Sequence, residues 1–207
     1  MNLKNIFLEI TNNLDELDKD REKLLKIQRV IVRDCSIAIK SIHRKEFENY
    51  SNKIEEIKVN LENVSSVVNK NPGIFFNYLK TPEQEYTEAV CFYSIVNNLD
   101  LPSPSKLNVN QLNYALGLAD VLGELRRYAL DNIRNSRLEE LDLILEIMDE
   151  IYTQLFSLDY PSGLTKELRH KIDVGRNIIE RTRADVSLTV SMNELKKSIN
   201  DKLKNQQ

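Results

Sequence analysis

Two pairs of carboxylates sit one helical turn apart in this 207-residue chain: Glu85 and Glu88 in QEYTEAVCFY, and Asp120 and Glu124 in LGLADVLGELRRY. Residues three or four apart share a helix face, so each pair can aim two acids at one point. Carboxylate oxygens suit hard cations, and Mg²⁺ takes few of them while keeping several waters. Four acids can therefore hold one Mg²⁺ or Mn²⁺ ion, or a close pair. Such ions stabilise charge on phosphoryl oxygens and activate water, which is what phosphodiester hydrolysis needs. The expected ligands are Glu85, Glu88 and Asp120, with Glu124 either a fourth ligand or the base that takes the proton from the attacking water. Spacing alone also fits a solvated helix face, where most such pairs do no chemistry. The apolar context, AVCFY after Glu88 and ALGLADVLG around Asp120, favours a site. Gly123, next to Glu124, is expected to admit a neighbouring helix or substrate.

A second constellation is basic. Projected at roughly 100° per residue, Lys26, Arg29, Arg33, Lys40 and Arg44 fall within about 60° of one another, opposite Leu24, Ile31, Cys35 and Ile42. That stripe either matches the repeating charge of a phosphate backbone, giving affinity without sequence reading, or is an ordinary solvated face. His43 can donate to a phosphate or stack on a base, or be a plain exposed histidine. Arg126 and Arg127 are candidates to hold the scissile phosphate, or to pair with nearby acids. Tyr86 and Tyr128 read as core aromatics. There is no Gly-rich phosphate loop, and His43 and His170 lie far from either cysteine, so zinc and Cys-His chemistries have no motif.

The elements that must position these residues are helices. Gly and Pro number five each and strand-like alternation is absent, so the fold class is all-α, an antiparallel bundle of about seven helices. The apolar period of Leu24, Ile27, Ile31, Cys35, Ala38 and Ile42 marks a long helix over about 20–47, followed by one over 52–68. Asn71-Pro72-Gly73 makes a turn. Thr81 as N-cap, Pro82 as first helical residue and Gln84 completing a capping box would start the helix of Glu85 and Glu88. Residues 101–105 read as a loop. Asn108 is expected to cap a helix to about Asn132, Ser136 with Glu139 to open a helix over 137–156, and Thr165 to start one through Ser187, with a peripheral helical tail over 194–207.

Composition sets bounds. The net charge of −3 argues against wholesale coating by nucleic acid, and 41% apolar residues suffice for one domain over 1–207. Cys35 and Cys91 fall on apolar helical faces and are expected as free thiols. The first twenty residues fit neither a signal peptide nor a membrane span, so a cytoplasmic protein without membrane partners is expected.

The run YALGLADVLGELRRY at 114–128 resembles the signature of the translin and translin-associated factor X (Trax) family, an Asp-x-x-Gly-Glu-Leu core. QEYTEAV at 84–90, REKLLKIQRVIVRDCSIAIKSIHR at 21–44 and DYPSGLTKELRHKIDVGRNIIERTRADVSLTV at 159–190 are similar to other family segments, so the resemblance spans about 21–190 and leaves 191–207 unaligned. It implies an all-helical fold, a hollow homo-oligomer of about eight subunits, and single-stranded RNA or DNA as ligand, bound along the first long helix. Within the family, Trax subunits carry a metal-dependent endoribonuclease site, while translin subunits bind without cutting. Glu85, Glu88, Asp120 and Glu124 match the Trax acids one by one, which implies a Trax-type Mg²⁺- or Mn²⁺-dependent endoribonuclease. A non-catalytic translin-like scaffold is the alternative. The connection between the acid-bearing helices is much shorter than the insertion of animal Trax.

Overall fold

The computed structural model describes residues 2–204, and the last three residues of the expected tail lie outside them. Among the described residues there is no strand. The order is α1 (Leu3–Arg44), α2 (Phe47–Val68), a one-turn α3 (Pro72–Phe75) running into a 3₁₀ turn (Phe76–Tyr78), α4 (Lys80–Val96), a one-turn α5 (Pro104–Leu107), α6 (Gln111–Arg134), α7 (Leu141–Phe156) and α8 (Ser162–Lys204). Contacts divide the chain into two units, Met1–Gly117 and Leu118–Gln207, and the division falls within α6.

In the first unit, α1 packs on α2 and α4, and α2 on α4. The periodic residues Leu24, Ile31, Cys35, Ala38 and Ile42 are all completely buried. The helix itself begins at Leu3, some seventeen residues before the expected start. No Gly or Pro interrupts the segment, so nothing in the backbone stops the helix where burial stops. Residues 2–16 are exposed throughout, with Ile6, Phe7 and Leu14 between 50 and 63% accessible. At its other end, Lys45 turns left-handed (φ 60°), and its N–H reaches Ile42 O while that of Glu46 reaches Ser41 O, the paired bonds of a Schellman stop.

Three expected caps are replaced by other devices. α4 starts at Lys80, not after Thr81, because the 3₁₀ turn delivers Leu79 already in helical conformation (φ −79°, ψ −25°). Glu83 is then buried, and its carboxylate accepts 2.8 Å bonds from the Asn110 N–H and Asn113 Nδ2, tying α4 to the beginning of α6. Asn110, not Asn108, caps α6: its Oδ1 accepts from the Leu112 N–H at 2.9 Å. Asn108 instead ends α5 in the left-handed region. That short helix occupies the expected loop, with Pro104 at its first turn and Ser103 Oγ accepting from the Lys106 N–H. Ser136 does not cap α7. Its φ of 56° serves the Schellman stop of α6, whose bonds run from Ser136 N to Ile133 O and from Arg137 N to Asn132 O, so α7 waits until Leu141.

Gly117 is the close-approach glycine of α6. A Cβ there would run into the Gln84 carbonyl oxygen and come within 2.8 Å of Thr87 Cβ, so α4 and α6 can meet only over a bare backbone. At Gly123, where that approach was expected, an added Cβ would meet nothing within 4 Å.

The second unit contains α7 against α8. Leu141, Ile144, Met148, Ile151 and Leu155 form the buried stripe of α7, and Arg183 on α8 grips Asp149 with two 2.8 Å bonds. Among the described residues no helix is long and apolar enough to cross a membrane.

Candidate metal and nucleic-acid site

Within the first unit, α4 presents Glu85 and Glu88 half-buried, between the buried residues Tyr86, Thr87 and Ala89. Both carboxylates act on α1. Burial pushes the Cys35 thiol well above its ordinary range, and the negative charges of Glu85, Glu88 and Asp34 push it further the same way. Cys35 therefore stays a neutral thiol beside these acids, and both cysteines are unpaired and buried, as expected.

In the second unit, Asp120 and Glu124 are also half-buried. Lys171 on α8, fifty-one residues away in sequence, places Nζ 2.5 and 2.7 Å from the two Asp120 oxygens. Glu124 Oε2 lies 3.6 Å from Arg127 Nη1. Arg126 donates to Thr182 Oγ1 at 3.1 Å and Asp185 Oδ2 at 2.9 Å. Both arginines thus follow the acid-pairing alternative, and the Arg126 guanidinium clamps α6 to α8.

The donor chemistry fits a hard divalent cation, since all four side chains offer carboxylate oxygens. Among the described residues no group of three or more Asp, Glu, His or Cys is placed to hold a metal ion. Asp120 already has a cationic partner in Lys171, a residue that the sequence did not single out. A contact between positions so distant in the chain leaves no local spacing signal.

Lys26, Arg29, Arg33, Lys40 and Arg44 are all exposed along α1, forming the expected stripe. Arg33 also contacts Asp34, at 3.3 Å from Nε to Oδ1. His43 is not an exposed histidine; it is half-buried, with its ring 4.8 Å from that of Phe92. Tyr86 is buried in the core, and Tyr128 is half-buried with its hydroxyl donating to Glu140.

Residues 94–184 match the model of the translin family. An uncharacterised protein of Methanocaldococcus jannaschii is 36% identical over 179 residues, covering 86% of this chain and 79% of its own. The chain belongs to the translin family. Among its translin-family relatives, the translin-associated protein X homolog of Schizosaccharomyces pombe is 25% identical over 84% of this chain and 83% of that protein. The crystal structure of AfC3PO superposes with a TM-score of 0.82 at 31% identity, covering 93% of this chain and 98% of that one. A structure of AfC3PO in complex with duplex RNA gives 0.80 at 30% identity over the same shares. Apo-NeC3PO, at 20% identity and a TM-score of 0.81, shares the all-helical translin fold over 91% of this chain and 97% of its own.

Proposed function

We propose that this translin-family chain is a metal-dependent endoribonuclease that binds RNA and works as a homo-oligomer of about eight subunits. The observation that carries this reading is the half-burial of all four acids. Surface acids of α2 such as Glu55, Glu56 and Glu62 are exposed, as a solvated face requires, whereas Glu85, Glu88, Asp120 and Glu124 are withdrawn from full solvent. The likeness to RNA-complexed AfC3PO supports RNA as the ligand.

A bound Mg²⁺ or Mn²⁺ supplies charge stabilisation at the phosphoryl oxygens and a more acidic attacking water. Glu85, Glu88 and Asp120 would hold the ion, and Glu124 would complete the ligand set or accept the water's proton. Lys171 supplies the counter-charge at Asp120, on the oxygens that a metal would use. The exposed row on α1 holds the RNA backbone and keeps the strand in register for cutting. Single-stranded DNA carries the same phosphates and is expected to bind that row as well.

Labelled single-stranded RNA and an RNA duplex, incubated with Mg²⁺, with Mn²⁺ and with EDTA, test the reading. Cleavage of the single strand that requires metal and fails in Glu124→Ala is expected; cleavage in EDTA would overturn the metal site. A second reading, a non-catalytic RNA scaffold, is favoured by the Lys171–Asp120 pair, which neutralises one acid without any metal. Tight binding with no cleavage under either cation would select it. Particle mass tests the assembly: eight chains of 24.1 kDa give about 193 kDa, and a monomer would contradict it.

The basic row makes a separate prediction. Arg29→Ala with Arg33→Ala should weaken RNA binding across sequences and flatten the slope of log affinity against log salt by about 1.4 to 2, since two phosphate contacts are lost. Filter binding from low to moderate salt measures both. An unchanged slope would move the RNA to another face.

A further inference from the structure

The first unit contains two adjoining clefts, lined by neither Glu85 nor Glu88. The larger, of about 510 Å³, lies within the size range of small-molecule sites. One wall is aromatic. Tyr93 is half-buried and stacked on Tyr50, with ring centroids 4.0 Å apart and planes within 8°. Tyr86 opens onto the same space. Lys58 and Lys106 line both clefts and therefore sit where the two meet, while Asp100 lines only the larger one.

We propose that this cleft is a binding site for a single nucleotide. The base lies against the Tyr93 wall, the phosphate meets the Lys58 and Lys106 ammonium groups, and the Asp100 carboxylate accepts from ribose hydroxyls or an exocyclic amino group. The aromatic wall, the two ammonium groups and the carboxylate each have a counterpart in that ligand. An apolar peptide would make no use of the two ammonium groups and the carboxylate, which stay in water at the edge of the cleft. Lys58 now donates to Glu55 at 2.7 Å on an exposed surface, a pair weak enough for a phosphate to displace.

The site stands independently of the metal reading, and its test is run in EDTA to keep the two apart. Titration calorimetry of the intact protein with adenosine 5′-monophosphate should show saturable binding, one per chain, about tenfold or more tighter than adenosine or inorganic phosphate alone. Lys58→Ala with Lys106→Ala alters only solvent-facing side chains; it should weaken the monophosphate by about tenfold and leave adenosine unchanged. Tyr93→Leu should weaken both, with circular dichroism reporting that the helices are intact. No saturable heat at several millimolar would overturn the proposal. So would unchanged affinity in the double-lysine variant, or loss of binding in Arg29→Ala/Arg33→Ala, which would place the nucleotide on the basic row. Binding of a 5′-phosphorylated oligonucleotide without binding of the mononucleotide would assign the cleft to RNA ends and overturn it as well.

Discussion

Asp120→Asn is expected to lower metal-supported RNA cleavage by roughly 100-fold or more while RNA affinity stays within about twofold. The substitution keeps the shape of the side chain and removes the charge that a divalent ion needs. The α1 row proposed to hold the backbone is untouched. Lys171→Met makes the reverse test. With Nζ 2.5 and 2.7 Å from the Asp120 oxygens, the lysine occupies both atoms a metal would use, so removing it should lower the half-saturating Mn²⁺ concentration by roughly tenfold, about 1.4 kcal/mol. Metal titrations of cleavage rate measure this. If Lys171→Met instead raised the Mn²⁺ requirement, the lysine would not compete with metal.

The second large effect concerns two glycines six residues apart on α6. Gly117→Ala should destabilise the protein by about 2–3 kcal/mol, because the new methyl group meets the Gln84 carbonyl and Thr87 Cβ, and a backbone oxygen cannot rotate away. Gly123→Ala meets nothing within 4 Å and relieves the helix of a glycine, so it should be stabilising by about 0.5–1 kcal/mol. Urea melts of the two variants beside the parent decide it. Equal midpoints for both would refute the close-approach role of Gly117.

These glycines also show what the sequence can disclose. Gly123 drew notice by standing beside an acid, yet six residues at ~100° each separate the two by about 240°, and only the partner helix decides which position must be bare. The period over Leu24–Ile42 was legible because burial repeats every three to four residues along one helix. The beginning of α1 was not, since its first turns carry apolar residues with no breaker and no burial. Thr81 and Ser136 have the composition of caps, but the backbone arriving at each is set by neighbours: a 3₁₀ turn before Thr81, a left-handed residue at Ser136. Local spacing picks out the acids and the basic row only as candidates, since it fits a solvated helix face too. Long-range partners could not be found that way: Lys171 reaches Asp120 across fifty-one residues, and outside the site Asn110 and Asn113 reach Glu83 across twenty-seven and thirty.

The exposed opening turns of α1 have a kinetic consequence. About fifteen residues whose apolar side chains stay largely in water approximate an isolated helix, and helices of that length are marginal on their own. Amide protons there should exchange with solvent at a rate set by local helix–coil opening, whereas those around Ile31 and Cys35 open only with the core. Any slower exchange in residues 2–16 must be imposed by contacts from outside the chain, which makes hydrogen exchange at this one segment a direct gauge of assembly.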